Sequence, residues 1–295
     1  MSHQLPKNIK VTVVVPVYGD WLSLKECINS LKKHLNSNLH QVMLINDCGP
    51  DADVLEANIK KAIGGKKNFE YYRNVENIGF VKTCNRAVLK LDKTGNDILL
   101  LNSDTKVTKG FLEAMLAVLH SSPQIGAVCP RSNNATVFSV PIEAQVKDYS
   151  MEQSYKLYKR LKRRLPIFYE SPVAHGFCML IKRDVIKQYG LFDEAYGKGY
   201  GEENDFCMRI RKQGYICAAA NHAFVFHFRA RSFTPEKREE LVQKNEKILK
   251  KRYPEYDSLV KDYLDNTLDP IEWQANSGEF NGPKSRTLVR RLFRV

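Results

Sequence analysis

The 295-residue sequence has no apolar run long enough to span a bilayer, and it opens on the polar Met1-Ser2-His3-Gln4. Neither a transmembrane helix nor a signal peptide is expected. Its seven cysteines (Cys27, Cys48, Cys84, Cys129, Cys178, Cys207 and Cys217) include no Cys-x-x-Cys. An odd, dispersed set argues against a disulfide framework and a zinc cage, and suits small buried thiols in a reducing cytoplasm. There is no Gly-x-Gly-x-x-Gly after the first strand and no Gly-x-x-x-x-Gly-Lys-Ser/Thr, so a dinucleotide-binding Rossmann domain and a P-loop are both disfavoured. No internal repeat or low-complexity tract is present. Acid is in short supply: 33 Asp and Glu stand against 46 Lys and Arg, a formal net charge of +13. That balance suits an anionic partner, whether phosphorylated substrate, acidic membrane or nucleic acid. With 43% hydrophobic and 27% charged residues, the chain can bury a core.

What is present is a run of strands alternating with helices. Val11-Thr12-Val13-Val14-Val15-Pro16-Val17 reads as a central parallel strand, with Pro16 expected to stop the ladder. A helix follows with Leu24, Ile28, Leu31 and Leu35 at helical spacing. Further strands are expected over 42–45, 69–72, 98–101 and 125–129, separated by helical segments. Such alternation predicts a parallel sheet with right-handed crossovers. Polar residues gather at or just beyond three strand ends: Asp20, Asn46-Asp47 and Asn102-Ser103-Asp104. Open α/β sheets place ligands at those ends. Hard oxygen donors without a glycine cradle suit a phosphate held through Mg²⁺ or Mn²⁺, although the same residues also make turns and caps.

After Pro130 the regularity breaks. A loop and edge strand are expected over 132–141, and a basic helix over 148–164 carrying Lys156, Lys159, Arg160, Lys162, Arg163 and Arg164. Strands are expected over 173–181, 215–218 and 223–228, and a helix over 202–213. The helix opens with Glu202, Glu203 and Asp205 after the flexible approach Tyr196-Gly197-Lys198-Gly199-Tyr200-Gly201. Three carboxylates there serve either as a cap or as a site. Val225-Phe226-His227-Phe228-Arg229-Ala230-Arg231 places a His and two Arg at a strand end. Charged helical sequence follows to about residue 263, and the tail from Arg286 to Arg294 alternates basic and apolar residues.

In order along the chain, these stretches resemble glycosyltransferase family 2, the inverting nucleotide-sugar transferases of the GT-A fold. The resemblance is carried by the Val-Pro-Val-Tyr opening strand, Asn46-Asp47, the Glu76-Asn77-Ile78-Gly79-Phe80 loop leading to Asn85-Arg86, and Leu101-Asn102-Ser103-Asp104. Gly176-Phe177-Cys178-Met179-Leu180-Ile181, Gly190-Leu191-Phe192-Asp193-Glu194, Gly201-Glu202-Glu203-Asn204-Asp205 and His227 complete it. It implies an α/β GT-A domain over 1–233, with a Rossmann-like, mostly parallel sheet and helices on both faces. The nucleotide-binding half would cover about 10–130 and the acceptor half about 131–233, with a helical basic extension over 234–295.

The resemblance further implies that Pro16, Val17 and Tyr18 lie along base and ribose, and that Asp47 accepts a hydrogen bond from the base. A UDP- or dTDP-sugar is then favoured over a GDP-sugar. Asn77, Gly79, Asn102, Ser103 and Gly176 would line the donor, and Arg229 or Arg231 would contact the diphosphate. The usual Asp-x-Asp motif reads Asn-x-Asp here, with Asp104 and His227 implied as ligands of Mn²⁺ or Mg²⁺. Glu203 aligns with the general base, a position more often Asp, and Asp205 is the alternative. The acceptor would be a glycan or lipid-linked glycan, in a setting such as bacterial surface polysaccharide assembly. The basic helix and tail would touch an anionic membrane surface, giving a cytoplasmic, peripheral protein. A nucleotidyltransferase would carry a glycine-rich loop that is missing, and a nucleic-acid-binding protein would not gather acids at its site. A non-catalytic glycan- or nucleotide-sugar-binding scaffold on the same fold is the remaining rival.

Overall fold

The computed structural model describes residues 8–141, 149–228 and 235–268. β1 (Val11–Val17), α1 (Trp21–His34), β2 (Gln41–Asn46), α2 (Ala52–Ile63) and β3 (Phe69–Arg73) begin the alternation. α3 (Phe80–Asn85) continues through a wide π-type turn, Arg86–Leu91, to β4 (Asp97–Leu101) and β5 (Thr105–Val107). α4 (Phe111–Leu119) and β6 (Ile125–Arg131) follow. Then come α5 (Met151–Leu161), β7 (Phe168–Ser171), β8 (Cys178–Ile181), α6 (Arg183–Tyr189), α7 (Glu202–Arg211), β9 (Ile216–His227), α8 (Pro235–Arg252) and α9 (Tyr256–Tyr263).

The strands form one sheet in the order β3-β2-β1-β4-β8-β6-β9-β5, with β7 paired to β9. β3, β2, β1 and β4 run parallel, which crossover helices permit; β8 enters antiparallel between β4 and β6. The unbroken Val run of β1 and Leu run of β4 is explained by position: both strands sit mid-sheet, and Val11, Val13, Val14, Val15, Ile98 and Leu99 have no exposed surface.

Pro16 acts differently on the two edges of β1. Pairing to β4 ends at Val14 opposite Leu100, whereas pairing to β2 continues through Pro16 opposite Ile45 and Val17 opposite Asn46. The proline therefore frees one side of the strand end and keeps the other. Asp20 sits in the left-handed region as the N-cap of α1 and accepts from the Ser23 amide, so its role is local.

Three expectations about strands need correction. The strand expected over 173–181 forms only at β8. The two expected over 215–218 and 223–228 are one twelve-residue strand, β9, whose register against β6 shifts between Pro130 and Arg131. β5 and β7 carried no alternation long enough to signal them: three and four residues respectively. The helical extension is packed on the body, with Leu249 and Tyr253 against Met208 of α7 and Tyr263 in the main core.

The start of β4 is tied to the end of β8 by Arg183. Its Nε donates to the Asn96 carbonyl at 2.7 Å, its Nη1 to the Val88 carbonyl at 3.3 Å, and its Nη2 pairs with Asp92, whose side chain is buried. Arg183→Ala leaves that carboxylate without its cation. Urea unfolding should show a loss of about 3–5 kcal/mol.

Candidate active site

The carboxyl ends of β1, β2 and β3 meet at Asp47, which is 4% exposed. Its Oδ1 accepts from Asn74 Nδ2 (2.6 Å), Thr83 Oγ1 (2.8 Å) and the Ile78 amide (3.1 Å); its Oδ2 accepts from Asn77 Nδ2 (3.1 Å) and the Gly79 amide (3.0 Å). A carboxylate offers about four lone-pair sites. The loop over 77–79 therefore uses the acceptor capacity that a nucleobase was expected to meet, and a base N–H would have to compete with it. Asn46 is likewise engaged, donating to the Ala52 carbonyl and Tyr71 and accepting from the Cys48 amide.

Of the β1 exit, Val17 is buried in the core and offers only its carbonyl, which accepts from the Asp47 amide at 2.7 Å. Tyr18 is 37% exposed, as a base-stacking role requires. Its backbone carries the neighbouring loop so closely that a Cβ on Gly49 would lie 1.8 Å from the Tyr18 carbonyl oxygen. Only glycine fits at 49, a constraint invisible until the two loops are seen together.

Asp104 and His227 meet because β5 pairs antiparallel with β9. Thr105 lies opposite His227, and the Phe228 amide donates to the Asp104 carbonyl at 2.8 Å. His227 Nε2 then lies 3.4 Å from Asp104 Oδ1. Its Nδ1 is 2.8 Å from the Asn134 carbonyl, an acceptor only, so Nδ1 carries the proton and Nε2 presents its lone pair. Asn133 fixes the same residue, accepting from the His227 amide at 2.9 Å and donating to its carbonyl at 3.1 Å. One carboxylate oxygen and one imidazole nitrogen so oriented fit Mn²⁺ or Mg²⁺ bound jointly with a phosphate. Among the described residues no cluster of three or more His, Cys, Asp or Glu is placed to hold a metal, so a bound anion would have to complete the set.

Gly176 and Phe177 join this pair to the acidic helix. A Cβ on Gly176 would sit 3.4 Å from Glu203 Cγ, and the Phe177 ring stacks on His227 with centroids 5.0 Å apart. The Phe177 carbonyl accepts from the Asn102 amide at 2.8 Å, which holds the Asn102-Ser103-Asp104 turn against the same dipeptide. Two adjacent residues thus touch the strand-end motif, the histidine and Glu203.

At the start of α7 the three acids have different fates. Asp205 is 1% exposed and bound in an ion-pair network: Arg252 Nη1 at 2.8 Å, Arg209 Nε at 3.6 Å and the Tyr196 hydroxyl at 3.2 Å. Glu203 is half-buried, and burial raises its carboxyl above the usual glutamate range. Glu202 is 5% exposed, its Oε2 has no hydrogen-bond partner, and burial followed by the charge of Glu203 pushes it well above the ordinary 4.5. Arg229 and Arg231, and the basic tail from Arg286, lie outside the described residues. Sequence reasoning missed Asn74, Thr83, Asn133, Asn134 and Asn245; uncharged amides and hydroxyls, whether in loops or, like Thr83 and Asn245, on helices, gave no pattern to find them.

Glu202 makes stability depend on pH. Between 4.5 and its raised folded value the native state holds a proton that the unfolded chain has lost, so its contribution is present below that window and declines as pH rises through it. Glu202→Gln removes the titration. Its stability relative to the parent should climb in thermal unfolding as pH rises above the ordinary glutamate value of 4.5; parallel pH curves would contradict this.

Comparison with known proteins agrees with the geometry. The sequence profile described as Glycosyl transferase family 2 matches residues 12–190. An N-acetylglucosaminyl-diphospho-decaprenol L-rhamnosyltransferase of Mycobacterium tuberculosis is 26% identical over 179 residues, covering 53% of this chain and 57% of that protein. The chain thus spans little more than half the length of that relative. Among solved structures, the mannosyltransferase PcManGT from Pyrobaculum calidifontis, in complex with GDP-Man and Mn²⁺, superposes with a TM-score of 0.60 at 15% identity, covering 90% of this chain and 73% of that one. TarS of S. aureus, in complex with UDP-GlcNAc, gives 0.53 at 16% identity over 90% and 79%. The fold is GT-A, and the chain belongs to glycosyltransferase family 2.

Proposed function

We propose that the protein transfers a sugar, with inversion, from a nucleoside-diphosphate sugar to a hydroxyl of a glycan acceptor. The observation that carries this reading is the dipeptide Gly176-Phe177, which sets Glu203 on one side and the Asp104–His227 pair on the other. A leaving diphosphate and an attacking hydroxyl need those two kinds of group across one anomeric carbon.

In this mechanism Tyr18 stacks on the base and the loop ordered by Asp47 receives the donor, with Asn102 and Ser103 toward the ribose. Asp47 acts chiefly by fixing Asn77, Ile78 and Gly79, and the preference for a UDP- or dTDP-sugar is carried over from the sequence resemblance. Asp104 and His227 would hold a divalent cation, which supplies Lewis-acid stabilisation to the departing diphosphate. Glu203 takes the proton of the acceptor hydroxyl as its oxygen attacks the anomeric carbon opposite the diphosphate. Burial strengthens Glu203 as a base. Asp205 keeps to its ion-pair network and holds the helix that carries Glu203.

A lipid-linked acceptor of the kind in the relative's name would bring the protein to a membrane. No helix among the described residues is long and apolar enough to cross one. α5 and the turn after it instead present Lys156, Lys159, Arg160, Arg163 and Arg164 at helical spacing, all exposed, ending at Ile167, which is 57% exposed. We infer peripheral docking of this face on acidic lipid at the cytoplasmic surface. The double change Lys159→Glu, Arg163→Glu should then abolish co-sedimentation with phosphatidylserine liposomes at low salt and leave activity on a soluble acceptor intact.

The decisive experiment is thermal stability with UDP, dTDP, GDP or ADP, each with and without Mn²⁺. At about 100 times its Kd, the cognate diphosphate should add roughly 2.7 kcal/mol, and the metal-dependent part should vanish in Asp104→Asn and His227→Ala. Glu203→Gln should keep the shift and lose about 10²–10⁴-fold in turnover. A folded protein that responds to no nucleotide would favour a non-catalytic scaffold.

A further inference from the structure

The loop that delivers Glu203 is held by a residue outside the matched family region. Residues 197–201 contain four left-handed positions: Gly197 (φ 61°), Gly199 (126°), Tyr200 (70°) and Gly201 (100°). Glycine adopts such angles readily, but at Tyr200 they are costly and need outside support. The loop also leans on the donor side, because a Cβ on Gly79 would lie 3.3 Å from Lys198 Cα.

The support comes from α8. Asn245, buried on that helix, points its Nδ2 at three loop carbonyls: Tyr196 (3.0 Å), Gly199 (2.8 Å) and Tyr200 (2.9 Å). Two N–H bonds shared among three acceptors, one of which (Tyr196) also accepts from the Gly199 amide at 3.3 Å, tie these carbonyls into one arc. Two turns further along the same face, Arg252 pairs with Asp205 inside α7 and with Asp193, each at 2.8 Å. Leu249, between them in sequence, packs on Met208. α8 thus grips both the loop and the helix on whose first turn Glu203 stands.

We propose that Asn245 is a positioning residue, a strut through which α8 fixes the 197–201 loop and sets the Glu203 carboxylate against Gly176. The inference rests on the transferase reading for its effect on turnover, but not for its effect on the loop. A misplacement of about 1 Å in a reacting group is enough to cost roughly 100-fold in rate, so a loosened loop lowers turnover without touching the nucleotide.

The test compares the full chain with Asn245→Ala and the milder Asn245→Ser, by hydrogen exchange and by kinetics. Amides over 197–205 should exchange at least about tenfold faster in Asn245→Ala, with those of β1 and β2 unchanged. Turnover should fall about 100-fold while the Kd for UDP with Mn²⁺ changes less than about threefold, with the acid limb of the kcat–pH profile displaced. Asn245→Ser, which keeps one donor, should fall between. A merely structural role would instead weaken fold, nucleotide binding and turnover together. Parental exchange rates in the loop, or parental turnover in a folded variant, would overturn the proposal. If the parent protein itself transfers no sugar, the transferase reading fails, and loop exchange alone decides the strut.

Discussion

The site depends on one short antiparallel pairing. β5 has three residues, yet its ladder to β9 is what brings the end of the Asn102-Ser103-Asp104 turn to His227. The parallel half of the sheet can only deliver polar residues to a common edge, because each crossover returns the chain in the same direction. A second group reaches that edge at the carboxyl end of β9, which runs parallel to β6 and, across β8, in the same sense as β4, so it is the short β5 that turns back to pair with it. The Asn133 and Asn134 contacts then fix the rotamer and tautomer of His227. A pair assembled this way is rigid because its parts are backbone-registered, with little left to side-chain freedom.

Charge at the first turn of α7 follows the same logic of fixed surroundings. A helix N-terminus favours a carboxylate by typically 0.3–1 kcal/mol, whereas desolvating one costs several. Burial therefore wins at Glu202 and Glu203, and both carboxyls are raised in spite of the dipole. Asp205 has Arg252, Arg209 and the Tyr196 hydroxyl as partners. Three acids within one turn thus divide into an unpaired buried group, a half-buried group beside Gly176 and a structural anchor. Spacing alone could not separate them, which is why Glu203 and Asp205 stood as alternatives from sequence.

Much of the architecture was legible because its signals are periodic. The Val run of β1, the Leu run of β4 and the amphipathic α1 announced a parallel α/β sheet, and the acids at strand ends marked its working edge. What stayed hidden was set by tertiary proximity. Nothing in Cys48-Gly49-Pro50 reveals that the Tyr18 carbonyl occupies the space of a side chain at 49. Asp47 read as a ligand for a base, and the structure gives its oxygens to Asn74, Asn77, Thr83 and two amides. β5 and β7 were too short to alternate, and the break between two supposed strands at 219–222 is the middle of β9.

The matched family region stops at residue 190, before Glu203, His227 and Asn245. The matched region thus holds Asp47, the 77–79 loop and Asp104, and the elements that place Glu203 come afterwards. That division has a physical reason. A nucleoside diphosphate presents the same base, ribose and phosphates whatever sugar it carries, so its cradle is built once, from strand ends in a regular sheet. Acceptors differ in shape and in the hydroxyl they offer, and the base must follow that hydroxyl. A loop of left-handed residues carried between α8 and Gly79 is adjustable by changes in its supports, without disturbing the strands beneath. The helical extension, which read from sequence as an appendage, is in this light the part of the chain that holds the loop before Glu203.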